Sequence, residues 1–509
     1  MTSKKFNNII ILLFSLSVFL VFSTPLDRKK FNRKNILING RPWHGFKPIL
    51  NLEKEDYPNK GIATKGFFIN KIDHFDSKNT ATYKQRYWYN KQWYRAGGPV
   101  FLMLGGEAAE SPAWVERGDF EWTKLAQHHK AMVFLLEHRY YGNSRPTSDM
   151  STENMKYLSS RQAIEDAASF IRGMNERFDY TNNTKWVVFG GSYSGALAAW
   201  ARQLHPELIF AAVGSSGPVQ AEVDFYQYLD VVKNSLLTYS SGCGNDLESG
   251  LQQLEKLVAT TSGQEQIGSM FNLCKKWDQL SNEDIKYFWL TIIGTYMGVV
   301  QYSGDNVGDY RGFYSIKNLC KYHLDKSSNP LDHIKNVYND YGGYSQSCLD
   351  PNYNEYIRYL RLTDWNSEIS DDRAWTYQTC TEFGYYQSTD NDASTYWGNI
   401  IDSNWYVKQC TDIFGSSITN STVYLSVAGT NSFYGGANGF KATNVILPNG
   451  IVDPWHALGV LTRTNNFNYP VIINGTAHCA DMYPSSPDDL QSLSLARQTI
   501  ATTLAKILS

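Results

Sequence analysis

Short apolar runs recur along the first part of the chain, at residues 99–104, 131–136, 187–189 and 209–213. Runs of this length without polar alternation are typical of strands that are buried on both faces of a sheet. An amphipathic stretch over residues 159–178 separates the second run from the third. This alternation of strands and helices predicts a doubly wound, mostly parallel α/β sheet covered by helices.

Two amphipathic stretches begin with helix-capping signals. Ser159 and Gln162 have the spacing of a capping box, which predicts the start of the helix before the third apolar run. Ser281 and Asp284 mark a second helix over residues 280–300 in the same way. Both signals place side-chain acceptors where the first helical N–H groups lack partners.

The strand-helix alternation stops after residue 218, and helical patterns follow. We interpret this region as a mainly helical cap that is inserted into the α/β domain. The sheet is expected to resume before Val423, and later apolar runs at residues 445–447 and 471–473 supply its last strands. The predicted organisation is a signal peptide (1–23), an N-terminal arm or propeptide (24–61), the first part of the α/β domain (62–218), the cap (219–400) and the second part of the α/β domain (401–509).

The N-terminus has the layout of a secretory signal. Lys4 and Lys5 precede an apolar run over residues 9–22, which is shorter than a comfortable membrane span. We expect a cleaved signal peptide, with an uncleaved anchor as the alternative. The formal charge is −2, and −4 without the two lysines, so composition argues against a nucleic-acid role.

Cysteine usage fits an oxidising compartment. None of the seven cysteines forms a C-x-x-C pair, and six lie between residues 243 and 410. The odd count leaves one thiol over, and the isolated Cys479 is predicted to be free. Three sequons, at Asn182, Asn420 and Asn474, are compatible with glycosylation.

The third apolar run leads into a candidate nucleophile elbow. Residues 190–194 read Gly-Gly-Ser-Tyr-Ser and precede an Ala-rich helical stretch, which places Ser192 at a tight turn between strand and helix. The motif departs from G-x-S-x-G because Ser194 occupies the last glycine position. An ordinary strand-turn-helix corner is the alternative interpretation of so short a string.

Two further residues support the interpretation of residues 190–194 as a nucleophile elbow. Asp453 and His478 each follow an apolar run, so both are expected on loops at strand ends. The order Ser, Asp, His is that of α/β-hydrolases. We predict Ser192 as nucleophile, His478 as its general base and Asp453 as the group that orients the imidazole.

The oxyanion of such a reaction needs backbone donors. The N–H of Tyr193 opens the helix after the elbow, and the loop of Gly105 and Gly106 follows the first apolar run. These groups are the predicted oxyanion donors. The chemistry requires no metal and no organic cofactor.

A polar cluster over residues 137–142, Glu-His-Arg-Tyr-Tyr-Gly, follows the second run. Charges in such a place are buried only if they are paired. We favour a structural salt-bridge corner over a direct part in catalysis.

The chain resembles the family of lysosomal Pro-Xaa carboxypeptidase, dipeptidyl peptidase II and thymus-specific serine protease. The resemblance covers most of the mature chain, and two details, residues 105–107 and Ser194, look closer to the thymus-specific branch. The matching positions are Asp73-His74-Phe75, Arg86-Tyr87, Gly105-Gly106-Glu107, residues 137–142, Leu158-Ser159-Ser160, residues 190–192, Trp375, residues 378–382, Asn449-Gly450, Asp453-Pro454-Trp455 and His478.

The resemblance implies an α/β-hydrolase fold with a helical cap and a secreted or lysosomal serine peptidase. It implies the triad named above and acyl transfer on peptide substrates, commonly at a bond beside proline, without nucleic acid or membrane partners after signal cleavage. A homodimer stays open. The implied disulfides are Cys243–Cys320, Cys274–Cys348 and Cys380–Cys410.

The sequence favours an aminopeptidase-like or general peptidase over a carboxypeptidase, because no cation that would hold a substrate carboxylate can be assigned. Glu107 is a candidate for holding a substrate's amino terminus, and bracing its own loop is the alternative. Trp375, Gln378 and Glu382 belong to an aromatic cluster that either lines a proline pocket or packs around Cys380. Two other classes of protein are alternative interpretations. They are an esterase or lipase of the same fold, and a non-catalytic secreted binding protein.

Overall fold

An eight-stranded sheet forms the centre of the protein. The computed structural model describes residues 57–181, 183–304, 314–342, 348–366, 369–391 and 394–509. The predicted signal peptide, nearly all of the predicted arm and the sequon Asn182 lie outside the described residues. Within these ranges, no helix is long and apolar enough to cross a membrane.

The strand order of the sheet is β1-β2-β4-β3-β5-β6-β9-β10. β2 runs antiparallel to both of its neighbours, and every other neighbouring pair is parallel. Two short strands, β7 and β8, pair separately in the cap region. The strands are β1 (Thr64–Lys71), β2 (Thr82–Asn90), β3 (Val100–Leu104), β4 (Met132–Leu136), β5 (Trp186–Gly191), β6 (Ile209–Ser215), β7 (Glu222–Asp224), β8 (Gly384–Tyr386), β9 (Val445–Gly450) and β10 (Asn468–Ile473).

Helices cover both faces of this sheet, which explains why its inner strands are wholly apolar. In β3, Leu102 and Leu104 face one core, and Phe101 and Met103 face the other. Successive side chains of a strand point to opposite faces, so both faces must be covered. This mostly parallel, doubly covered sheet confirms the predicted α/β-hydrolase fold. Its first helices are α1 (Ala113–Glu116), α2 (Glu121–His129), α3 (Ser160–Arg177) and α4 (Tyr193–Leu204).

The region after β6 is mainly helical, as predicted. Among the described residues, ten α-helices lie between β6 and β9, and one more follows β10. They are α5 (Gln227–Tyr239), α6 (Ser241–Val258), α7 (Thr261–Met270), α8 (Asn282–Gln301), α9 (Ile316–His323), α10 (Pro330–Val337), α11 (Tyr353–Leu360), α12 (Ser370–Gln378), α13 (Ser403–Phe414), α14 (Asn420–Tyr434) and α15 (Gln491–Leu508).

The expectation that the sheet resumes before Val423 is wrong. Val423 lies in α14, and the sheet resumes only at β9. The β-branched residues of this stretch favour a strand locally. Burial instead follows a helical stripe of Val423, Val427, Thr430 and Tyr434, while Leu425 is 71% exposed.

The two capping signals have different outcomes. Ser281 and Asp284 form a complete capping box at the start of α8. At α3, the Ser159 hydroxyl accepts from the Gln162 N–H, as predicted. The Gln162 side chain does not return to Ser159; its Oε1 accepts from the N–H of His74, because the segment before β2 packs against this helix end.

The helical region between β6 and β9 contains the three disulfides that the resemblance implies. Cys243–Cys320 joins α6 to α9, Cys274 pairs with Cys348, and Cys380–Cys410 joins the segment after α12 to α13. Cys479 is buried and is the free cysteine of the described residues.

The polar cluster after β4 is a paired corner. Glu137 accepts from the Arg86 guanidinium, from the N–H of Glu110 and from the Ser144 hydroxyl. Arg139 is fully buried and donates to Asp166 of α3. Both charges of the cluster are therefore compensated, which confirms the structural interpretation.

Candidate active site

Ser192 lies at the sharp turn between β5 and α4. Its backbone has φ 59° and ψ −131°, a conformation that L-residues rarely adopt. Gly190 permits the turn, since a Cβ there would lie 1.9 Å from the carbonyl oxygen of Ser194. A strained turn that raises a serine above the end of a strand is the geometry of a nucleophile elbow.

The departure at Ser194 has a local explanation. The Ser194 hydroxyl donates to the carbonyl of Gly191 at 2.9 Å and accepts from its N–H at 3.1 Å, which ties the turn together. The close backbone approach falls one residue later, where a Cβ on Gly195 would lie 2.4 Å from the carbonyl oxygen of Ser215. The elbow thus has its essential glycine at position 195 and uses Ser194 as a side-chain clamp.

Asp453 and His478 form a fully buried pair on the loops after β9 and β10. Nδ1 of His478 lies 2.9 Å from Oδ2 of Asp453. The other carboxylate oxygen accepts from the N–H of Trp455 at 3.0 Å, which fixes the carboxylate plane. Burial by itself lowers the pKa of His478, but the Asp453 carboxylate raises that pKa well above the usual value of histidine.

The end of β6 holds the elbow and the histidine loop side by side. The Ser192 N–H donates to the carbonyl of Ser215, and the N–H of Cys479 donates to the Ser216 hydroxyl. The backbone N–H of His478 donates to Gln301 at the end of α8. Nε2 of His478 is buried and makes no hydrogen bond among the described residues.

The predicted oxyanion donors differ in whether their N–H groups are already hydrogen-bonded within the protein. Tyr193 is the first residue of α4, where N–H groups lack intrahelical acceptors. The N–H of Gly105 donates to the carbonyl of Leu136 at 2.8 Å and continues the β3–β4 ladder. This corrects the expectation for Gly105, and Gly106 is left as the predicted loop donor.

A buried chain of hydrogen bonds links the Tyr193 side chain to the cap. The Tyr141 hydroxyl donates to Oε1 of Gln378, and Nε2 of Gln378 donates to the Tyr193 hydroxyl. The Tyr193 hydroxyl then donates to Nε2 of His138 at 3.0 Å, and Nδ1 of His138 donates to the Arg139 carbonyl. Burial lowers the pKa of His138 to about 4, which keeps the ring in the neutral form that this chain requires.

The other residues of the predicted substrate site are buried. Trp375 stacks on Tyr385, and Glu382 accepts from the N–H and hydroxyl of Ser160. Glu107 follows β3 and is 3% exposed. Gln378 donates to the Tyr193 hydroxyl, and the Trp375 ring contacts the Tyr193 ring, so both residues contact the first residue of α4.

The family model of serine carboxypeptidase S28 matches residues 70–500. The chain belongs to this family. As an S28 family member it is a serine-type peptidase, in agreement with the resemblance stated from the motifs.

Curated relatives support this assignment over nearly the whole S28 chain. A Caenorhabditis elegans protein named as a candidate serine protease is 46% identical over 492 residues, covering 95% of this chain and 96% of its own. Human thymus-specific serine protease is 34% identical, covering 86% of this chain and 85% of its own. Human lysosomal Pro-X carboxypeptidase is 25% identical, covering 85% of each chain.

Two residues beside the candidate site were not among the site residues predicted from the sequence. His138 and Tyr141 were placed in a structural corner, which is correct for the neighbouring charges. His138 contacts the Tyr193 hydroxyl directly, and the Tyr141 hydroxyl is connected to it through Gln378. The aromatic and imidazole content of residues 137–142 was the available signal, but its partner lies 237 residues away in the chain.

Glu382 gives the S28 peptidase a pH-dependent stability. Burial raises the pKa of Glu382 to about 7, against hydrogen bonds from Ser160 that lower it. Between its ordinary pKa of 4.5 and pH 7 the folded state holds a proton that the unfolded state releases, so stability falls as pH rises. We expect the free energy of unfolding to fall by up to about 3 kcal/mol more in the wild type than in Glu382→Gln between pH 4 and pH 8.

Urea unfolding of both proteins across this pH range measures the difference. Parallel pH profiles for the two proteins would contradict the raised pKa.

The two sequons within the described residues are both exposed. Asn420 is the first residue of α14, and Asn474 lies in the turn between β10 and the His478 loop. Both positions are compatible with the predicted glycans.

Proposed function

We propose that Ser192, His478 and Asp453 are the catalytic triad of this S28 peptidase, which cleaves peptides beside proline in the secretory pathway. The observation that carries the proposal is the buried Asp453–His478 pair, 2.9 Å apart, on loops that meet the strained elbow at the end of β6. A buried carboxylate beside one imidazole nitrogen leaves the other nitrogen as the base.

The proposed reaction is acyl transfer. The Ser192 hydroxyl attacks the peptide carbonyl as its proton moves to Nε2 of His478, and the Tyr193 and Gly106 N–H groups stabilise the oxyanion. The imidazolium, stabilised by Asp453, then returns the proton to the leaving amine. Water then attacks the acyl-enzyme with the same proton transfers, and this step releases the carboxylic acid and the free serine.

Proline preference and location are supported from two directions. One relative is named a Pro-X carboxypeptidase and a lysosomal protein. The three disulfides require an oxidising compartment during folding, which supports entry into the secretory pathway. We propose a secreted or lysosomal site of action.

A peptide library, incubated at acidic and neutral pH and read by mass spectrometry, tests the substrate class. We expect products cut beside proline, and none from Ser192→Ala. Release of X-Pro dipeptides assigns a dipeptidyl peptidase, and loss of single residues after proline assigns a carboxypeptidase. Ser192-dependent cleavage without any proline preference would contradict the proposed specificity.

A test of Glu107 distinguishes recognition of the substrate's amino terminus from recognition of its carboxyl terminus. If its carboxylate holds a substrate ammonium, acetylation of the peptide amino terminus is expected to lower kcat/KM at least tenfold, and Glu107→Gln should remove that difference. A carboxyl-amidated version of the same peptide is the matched control. Equal cleavage of free and acetylated peptides would show that Glu107 has no such role.

A further inference from the structure

Three side chains from separate helices of the region between β6 and β9 converge on one another. Asp246 lies on α6, His323 ends α9 and His333 lies on α10. Oδ2 of Asp246 is 2.8 Å from Nδ1 of His323 and 2.7 Å from Nδ1 of His333. The three donor atoms lie within 4.8 Å of one another. We propose that Asp246, His323 and His333 bind a structural zinc ion that ties these helices together.

The donor set selects the metal. Two imidazole nitrogens and one carboxylate oxygen suit Zn²⁺, whereas Mg²⁺ and Ca²⁺ prefer oxygen donors. Asp246 is the partly exposed member, with 18% of its side chain accessible. This opening gives the ion an entry path and leaves room for water as the fourth ligand.

The helices that carry the cluster are held before any ion binds. Cys243 precedes Asp246 by three residues and Cys320 precedes His323 by three residues, so the Cys243–Cys320 disulfide clamps α6 to α9 one helical turn from the donors. Gly250 lets α6 approach α10, since a Cβ there would lie 2.7 Å from the carbonyl oxygen of Pro330. Such preorganisation reduces the ordering cost of metal binding.

His333 is less well satisfied by hydrogen bonds than His323, whose two ring nitrogens both have partners. Both rings are buried, and both rely on the same carboxylate oxygen. Nε2 of His323 is 3.1 Å from the Tyr296 hydroxyl, the kind of outer contact that orients a metal-bound imidazole. Nε2 of His333 makes no hydrogen bond among the described residues. At Nδ1, a metal bond would replace the hydrogen bond for which His333 competes with His323 at one carboxylate oxygen.

The spacing of these three residues along the sequence does not predict a metal site. The three donors are separated by 77 and 10 residues, outside the short intervals of zinc motifs. The proposed ion is structural, and the peptidase reaction proposed above does not pass through it.

Thermal unfolding of the full, disulfide-bonded chain tests the proposal. After dialysis against a chelator, ZnCl₂ at a small excess is expected to raise Tm by about 3 °C or more, because ligand that binds only the folded state stabilises it. His333→Gln and Asp246→Asn should lose this response. His128→Gln, which removes an exposed histidine of α2, should keep it and controls for adventitious binding.

A second measurement on the wild type does not depend on the variants folding. Cobalt(II) added to the chelator-treated protein should produce the intense visible bands of tetrahedral coordination at one ion per chain, and zinc should displace them. Absence of these bands, a response of the same size to Mg²⁺, or an unchanged zinc response in folded His333→Gln would overturn the proposal.

Discussion

Replacing Asp453 by Asn is expected to lower kcat by about 10⁴-fold while the protein still folds and binds substrate. One carboxylate oxygen lies 2.9 Å from Nδ1 of His478, and the other accepts from the N–H of Trp455. An amide turned toward the ring presents a donor, so the imidazole adopts the tautomer that protonates Nε2 and loses its function as a base. Steady-state kinetics on a proline peptide measure the loss, and KM should change little because Asp453 does not touch substrate.

Asp481→Asn is the matched control for this prediction. Asp481 is also buried near the end of β6, and burial raises its pKa to about 6. At pH 5 its carboxyl is therefore mostly protonated, and Asn imitates that neutral form. Its kcat at this pH should stay within about threefold of the wild type. An equal loss in both variants would show that any buried carboxyl change disturbs the site, and would contradict the role assigned to Asp453.

Replacing Asp166 by Asn is expected to lower the free energy of unfolding by about 3–5 kcal/mol. Asp166 is fully buried and accepts from Arg139, His74 and the hydroxyl of Tyr83. The variant leaves the Arg139 guanidinium charged and buried without a counter-ion, which is the costly outcome for a buried pair. Urea unfolding monitored by circular dichroism measures the change.

An exposed pair provides the comparison. Glu355 lies 2.8 Å from Arg358 on the surface of α11, and about half of each side chain is accessible. Glu355→Gln should therefore leave the urea unfolding midpoint nearly unchanged. Similar effects of the two substitutions would contradict the view that the Arg139–Asp166 pair anchors α3 to the β4 corner.

The sequence predicts the sheet well because its strands are buried on both faces. The apolar runs became β3 to β6, β9 and β10, and the elbow falls where strand, glycine turn and helix were expected. The error at Val423 arose from local β-propensity. The spacing of Val423, Val427, Thr430 and Tyr434 already carried the helical period, so periodicity over a longer window would have corrected it.

Other features depend on contacts that no local pattern encodes. The Gly105 N–H is already hydrogen-bonded to the Leu136 carbonyl, and this bond follows from the register of β3 against β4. The bond between Tyr141 and Gln378 joins the α/β domain to α12 across 237 residues. Such pairings are fixed by the packing of the cap on the sheet, and spacing alone does not reveal them.

The disulfide pairing is another feature that no local sequence pattern encodes. Six cysteines allow fifteen pairings, and spacing selects none of them. The resemblance to the family supplied the three pairs that the structure contains.

The most direct test of the proposed triad is labelling with a fluorophosphonate probe, followed by intact-mass measurement and peptide mapping. We expect one adduct per chain, located on Ser192, absent from Ser192→Ala and formed far more slowly by Asp453→Asn. An active protein that carries its adduct on another residue, or that hydrolyses peptides without Ser192, would contradict the account.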